Sequence, residues 1–241
     1  MASTQVVAPE ICCGHDRDHE GSNVSDPGRQ VAASDCEHCR PGPVSQPANT
    51  MSSLAYVVAG VSMLRSARRA NPANQIGRSE HVLAWTVITA VLGSVAYHGP
   101  GGAVSRYAHD ASLIAMLAMV GVSDAELLSG RKAPAAAFAM VPLAALAGAH
   151  PSSSMAAQGV AAGAAAVGEL ARTATTPATP GRRWARQGEL PAFTIGAVAH
   201  LSGRTGGPLC RPHSPLQAHA VWHVLTAATL WLRSASMTHQ P

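Results

Sequence analysis

Two histidines near the C-terminus, His219 and His223, lie four residues apart within an apolar stretch. A helix turns once every 3.6 residues and presents both imidazoles on one face, a spacing with which helices hold a metal ion. His98 ends another apolar stretch, and Asp110 follows a short glycine-rich loop. Three imidazoles bind zinc with one coordination position left for water. The sequence therefore predicts a zinc site of His98, His219 and His223 with Asp110 beside it.

Two further members of this group keep simpler interpretations open. Ser94 precedes His98 by four residues and shares its helix face, but serine is also common where membrane helices pack closely. Asp110 also fits the N-cap of a helix, a role compatible with a catalytic one. A single helical histidine is usually a packing residue, and we interpret three in this way: His150, His200 and His213. Three acidic residues are interpreted as interfacial charges: Asp124, Glu126 and Glu169.

The composition indicates the environment of the elements that position these residues. Only 12% of the 241 residues are charged and 47% are hydrophobic, whereas soluble domains carry about 25% charged residues. Seven apolar stretches follow a polar segment: 49–64, 82–97, 110–122, 133–149, 155–170, 190–201 and 217–232. We predict an all-α protein with a seven-transmembrane helix bundle at 48–235. A mostly disordered, polar, acidic tail (1–47) precedes the bundle, and a short C-terminal tail (236–241) follows it.

Basic residues are distributed unevenly between these stretches. They concentrate after the first, third, fifth and seventh stretches: Arg65, Arg68, Arg69, Arg78, Arg131, Lys132, Arg172, Arg182, Arg183, Arg186 and Arg233. The positive-inside rule then predicts an N-terminus outside the membrane and a C-terminus in the cytoplasm. His98, Asp110 and His219 fall at one depth, near the outer ends of their helices. The clusters form no continuous basic face, which argues against nucleic-acid binding.

The short motifs, taken in order, resemble those of the alkaline ceramidase family. The resemblance covers about residues 35 to 233 and is carried by Asp35-Cys36-Glu37, Gln46-Pro47-Ala48-Asn49-Thr50-Met51-Ser52-Ser53, Gly93-Ser94-Val95-Ala96-Tyr97-His98, Asp110 and His219-Ala220-Val221-Trp222-His223. The family belongs to a superfamily of seven-span hydrolases. This superfamily also includes adiponectin-type receptors, hemolysin III-like proteins and GPI-remodelling Per1 proteins.

The resemblance implies a zinc-dependent hydrolase that cleaves an amide bond in a membrane lipid, such as an N-acyl lipid or a ceramide-like lipid. It implies that His98, His219 and His223 bind zinc. It further implies that Asp110 orients or deprotonates water and that Ser94 stabilises the oxyanion. Zinc lowers the pKa of bound water to about 7, so hydroxide forms at neutral pH.

A second metal, calcium, is also implied by the family. Its ligands come from an acid-rich segment before the first helix, and the matching residues here are Asp35, Glu37 and Asn49. Cys39 and Gln46 stand where the family has oxygen ligands and a glutamate. The sequence departs from the calcium site at these two positions.

Five cysteines lie outside the apolar stretches: Cys12, Cys13, Cys36, Cys39 and Cys210. On the outer side of a membrane, conditions favour a disulfide between Cys210 and one of the tail cysteines. The sequence does not choose the partner.

Two other functional classes also fit the sequence. A protein with paired histidines in a membrane can hold haem and carry electrons, which gives a coloured protein. A lipid sensor on the same scaffold would bind a lipid without cleaving it.

Overall fold

The described part of the chain is helical. The computed structural model describes residues 35–40, 42–69, 78–176 and 181–237. Its helices are α1 (Pro47–Ser52), α2 (Ala55–Arg69), α3 (Arg78–His98), α4 (Ala103–Ser129), α5 (Ala135–Gly148), α6 (Ser154–Thr175), α7 (Arg183–Ser202) and α8 (Ala218–Met237). Extended backbone pairs within these ranges only at one antiparallel bridge, between Asp35 and Arg204. The all-α prediction is confirmed, and each apolar stretch overlaps one of the helices α2 to α8.

The beginning of the helical region differs from the prediction. The first apolar stretch is divided between α1 and α2, and α1 begins at Pro47, where the missing N–H has no intrahelical partner to lose. The tail was expected to be mostly disordered up to residue 47, but Asp35, Glu37 and Gln46 are buried against the helices. Residues 1–34 lie outside the described residues. From Asp35 onward, the tail belongs to the helical domain.

The apolar core lies among α2, α3, α4 and α8. Its most buried side chains include Met63, Leu83, Val87 and Met119. Around this core α4 packs against α6, and α7 packs along α8. The C-terminal end of α3 lies beside the N-terminal end of α8, where the rings of His98 and His219 are 5.0 Å apart.

The outer helices α6 and α7 have a reversed polarity: they bury charged side chains and expose apolar ones. Arg172 of α6 and Glu189 of α7 are buried, whereas Val160 is 74% exposed and Val198 is 55% exposed on the same two helices. Two helices, α3 and α4, are long and apolar enough to cross a membrane. Soluble proteins bury apolar side chains and expose charged ones, so α6 and α7 show the opposite pattern.

A buried network of ion pairs joins five helices at the end of the bundle far from His98. Arg233 of α8 donates to Asp124 of α4 over 2.6 Å, and Arg172 donates to Glu189 over 2.6 Å. Glu169 of α6 accepts from both arginines. The interpretation of Asp124 as an interfacial charge is wrong, because its side chain is only 1% exposed. Asp124 is instead the buried partner of Arg233.

Candidate metal centre

Three histidines from two helices meet at one place in the bundle. His98 is the last residue of α3, and His219 and His223 lie one turn apart at the start of α8. One candidate ligand atom from each lies within 4.8 Å of the others. The ring centroids are 4.5 Å apart for the α8 pair and 5.0 and 5.2 Å apart from His98 to each of them. The predicted grouping is confirmed, and it can hold a metal ion.

One ring nitrogen of His98 hydrogen-bonds a residue of the segment before α1. Nδ1 lies 2.8 Å from Oε1 of Gln46, and the Gln46 amide nitrogen donates to the backbone oxygen of Glu37 over 3.3 Å. Because the amide oxygen only accepts, Nδ1 carries the proton and Nε2 keeps its lone pair. Nε2 is buried and has no hydrogen-bond partner in the described part of the chain. A buried nitrogen without a partner is costly, which fits a metal ligand.

His219 is engaged by a carboxylate in the same way. Oδ1 of Asp35 lies 3.3 Å from its Nδ1, and Oδ2 lies 3.8 Å from Nδ1 of His98. Nδ1 of His200 is also 3.1 Å from Nδ1 of His219, so His200 borders the centre and is more than a packing residue. Nε2 of His219 is buried, and no described residue hydrogen-bonds it. Carboxylate–histidine pairs of this kind commonly orient metal ligands.

The Nδ1 atom of His223 also lies beside a hydrogen-bond acceptor. Its Nδ1 lies 3.2 Å from the backbone oxygen of Asn49 and 2.9 Å from Oγ of Ser52, both in α1. A carbonyl oxygen only accepts, so Nδ1 donates to it and Nε2 keeps its lone pair. All three imidazoles therefore have Nδ1 engaged and Nε2 available to a common metal.

The segment before α1, described at residues 35–40 and 42–46, is held at both ends. A disulfide joins Cys36 to Cys210 in the connection between α7 and α8. This confirms the expected bond between Cys210 and a tail cysteine and identifies the partner. At the other end, the N–H of Gln46 donates to the carbonyl of His98 over 2.9 Å. The side chains that engage the imidazoles are therefore held from two directions.

The residues predicted for calcium lie near one another but have other contacts. The carboxylate oxygens of Glu37 accept from the N–H groups of Ala48 and Asn49 over 2.7 and 2.8 Å, which caps α1. Burial raises the pKa of Glu37, although these two bonds act in the opposite direction. Asp35 faces the imidazoles, and the Asn49 amide donates to Gln46 over 3.3 Å. Calcium binding stays a prediction from the resemblance.

Ser94 is buried behind His223. Its Oγ lies 2.7 Å from Oγ of Ser53, which in turn lies 3.4 Å from Nδ1 of His223. Ser94 thus approaches the centre from the Nδ1 side, through one intervening hydroxyl. Its role at the oxyanion stays a prediction.

Asp110 is buried in the second turn of α4, outside the histidine group. Its Oδ1 lies 3.1 Å from Nδ1 of His109, and its Oδ2 lies 3.9 Å from Nε of Arg106. The alternative interpretation as an N-cap is wrong, because the N-cap of α4 is Gly102. The role of Asp110 in catalysis stays a prediction.

No family model and no curated protein matches this chain. The resemblance to alkaline ceramidases therefore depends on the short motifs themselves. Among the residues of those motifs, His98, His219 and His223 come together in space. What the geometry establishes is a histidine group that can hold a metal ion in a helical protein.

Two residues near the centre were not predicted to contact its histidines. His109 lies edge-on to His98 with ring centroids 6.0 Å apart, and Gln46 engages the His98 ring. His109 directly precedes the predicted Asp110, so the same helix carries both to this end of the bundle. Gln46 belongs to one of the motifs shared with alkaline ceramidases, but its position in an irregular segment does not reveal its contact with His98.

Proposed function

We propose that this protein is an integral membrane hydrolase that uses one zinc ion to cleave an amide bond in a lipid. The observation that carries the proposal is the geometry of the histidine trio, His98, His219 and His223. In each ring Nδ1 lies beside a hydrogen-bond acceptor, which leaves Nε2 to bind a common metal ion. Hydrolytic zinc sites commonly use three protein ligands and leave a position for water. When bound, zinc activates water for attack on a carbonyl. The motifs shared with alkaline ceramidases favour an amide as the bond that is cleaved.

The reversed polarity of α6 and α7 supports a location in lipid. A bilayer favours apolar side chains on the outside of a bundle and requires buried charges to be paired, as Arg172 and Glu189 are. We infer that α2 to α8 are seven spans, with the N-terminal side outside and the C-terminus in the cytoplasm, because basic residues concentrate in alternate loops. The histidine centre then lies near the outer surface.

A groove between α2 and α8 supports a substrate with an apolar chain. Its volume is about 460 Å³. Its apolar lining includes Ala55, Val58, Ala59, Val224, Ala227 and Ala228. Ala227 lies one turn from His223 on the same face of α8, although none of the three histidines lines the groove itself. We assign the acyl chain to this groove and the amide to the centre.

Metal content and lipid hydrolysis of the purified protein test the proposal together. We expect about one zinc ion per chain and release of fatty acid from at least one member of a panel of ceramides, N-acyl ethanolamines and N-acyl amino acids. His98→Ala and His219→Ala should each lose the metal and the hydrolysis. His150→Ala is the matched control, because His150 is exposed in the turn between α5 and α6.

Two outcomes would contradict the proposal. A folded, zinc-loaded protein that releases no fatty acid from any member of the panel would favour a lipid sensor. A protein without zinc but with a haem absorption spectrum would favour an electron carrier.

A further inference from the structure

His109 of α4 is, like His200, a further imidazole that borders the histidine centre. Its ring is edge-on to His98, with an interplanar angle of 82°, and it also packs against Tyr97 with centroids 4.9 Å apart. His109 does not belong to the group whose ligand atoms lie within 4.8 Å of one another, which contains only His98, His219 and His223 among the described residues. This places His109 at the edge of the centre, beyond direct ligand distance.

The ring of His109 has a fixed orientation. Its Nδ1 is 3.1 Å from Oδ1 of Asp110. An ionised carboxylate only accepts, so Nδ1 carries the proton and Nε2 keeps a lone pair. A carboxylate that orients an imidazole in this way is the arrangement that enzymes use to prepare a general base. The side chain of His109 is 20% exposed, so water can reach it.

The approach of α4 to α3 places His109 there. A Cβ added at Gly93 of α3 would lie 2.8 Å from Cα of His109 and 2.8 Å from the carbonyl oxygen of Ala108. Real Cβ atoms essentially never come this close, so only glycine permits the contact. The fold thus brings the backbone of His109 directly against the helix that ends in His98.

We propose that His109 is the proton-transfer residue of the amide hydrolysis and that Asp110 is its positioning residue. This inference depends on the proposed function. Nε2 of His109 takes a proton from the attacking water as the oxygen forms its bond to the amide carbon. The same proton is then donated to the nitrogen as the carbon–nitrogen bond breaks. A fatty acid and an amine are released, and His109 returns to its neutral form.

The variant His109→Gln tests the proposal against the matched variant His150→Gln. We expect His109→Gln to keep the zinc content of the wild type and to lower kcat by about 10²- to 10⁴-fold, the range that general acid–base catalysis supplies. Asp110→Asn should keep the metal and also lower kcat, because its amide can present a donor to Nδ1 and favour the wrong tautomer. KM should change little in both variants.

A second measurement separates failure of this proposal from failure of the proposed function. With Co²⁺ in place of zinc, the visible absorption bands report the metal's immediate surroundings, so His109→Gln should shift them if the ring contacts the water at the metal. Unshifted bands, or a kcat within about threefold of the wild type, would overturn the role of His109. Loss of the metal in His109→Gln would overturn it as well, by making His109 a ligand. If wild-type protein cleaves no lipid, the proposed function fails, and with it the proton-transfer role, whatever the bands show.

Discussion

Each imidazole of the trio is engaged by a different acceptor. Gln46 offers an amide oxygen, Asp35 a carboxylate and Asn49 a backbone carbonyl. Acceptors on Nδ1 fix the tautomer and increase the basicity of the ligand nitrogen. All three acceptors come from the short region between Asp35 and Asn49. The metal affinity of the centre should therefore depend on this region as much as on α3 and α8.

Replacing Gln46 with alanine tests this dependence. The change removes the acceptor of the His98 Nδ1 proton, so we expect zinc affinity to fall by about 10- to 100-fold. Competition with a chromophoric chelator measures the affinity. Gln187→Ala is the control, since Gln187 is exposed on α7, and it should leave the affinity unchanged. Equal affinity of Gln46→Ala and the wild type would show that the amide does not support the ligand.

The histidine trio was predictable from sequence, whereas its supports were not. His219 and His223 share a helix face because of helix periodicity, which is a local property. Asp35 and Gln46 lie in an irregular segment without periodicity, and the disulfide and backbone contacts that place them join residues distant in sequence. His109 was missed because a single histidine in a helix has many ordinary roles.

The contact between α3 and α4 depends on one glycine. Gly93 allows the two backbones to touch at the level of His109. The seven long helices followed from apolar stretches, since burial or lipid exposure of a helix requires such a run. The close approach of α3 and α4 at Gly93 was not predictable, because the sequence around a glycine in a helix does not show which residues that glycine contacts.

Replacing Gly93 with alanine should separate the two helices. Its Cβ would clash with backbone atoms of α4, so we expect a loss of about 1–3 kcal/mol in the free energy of unfolding together with weaker hydrolysis. Gly121→Ala on α4 is the matched control, because no heavy atom lies within 4 Å of the added Cβ. The control should keep or raise stability, by up to about 1 kcal/mol from helix propensity. Thermal unfolding in detergent measures the stability of both variants. Equal stability of Gly93→Ala and Gly121→Ala would contradict the close contact between α3 and α4.

The whole molecule combines a polar interior at both ends with apolar outer helices. The histidine centre occupies one end, and the ion-pair network of Arg172 and Arg233 occupies the other. Buried charges are tolerated only when paired, so the network fixes how α4, α6, α7 and α8 meet. The sequence did not reveal this, since charges near helix ends are typical of membrane surfaces as well.

Removing Arg233 should destabilise the whole bundle. Arg233→Met leaves Asp124 buried without its closest cation, and breaking a buried pair in this way costs about 3–5 kcal/mol. Arg65→Met is the control, because Arg65 is exposed on α2, and it should change stability by less than about 0.5 kcal/mol. The melting temperatures of the two variants in detergent report the difference. A melting temperature of Arg233→Met equal to that of the control would show that the network contributes little.

X-ray absorption at the zinc edge tests the central claim most directly, because it reports the ligands of the bound ion. We expect three imidazole nitrogens at about 2.0–2.1 Å and an oxygen ligand in the remaining position. The spectrum of His223→Ala, if any zinc remains, should show fewer imidazoles. Zinc bound through sulfur at about 2.3 Å, or purified protein that binds no zinc, would contradict a catalytic centre built on His98, His219 and His223.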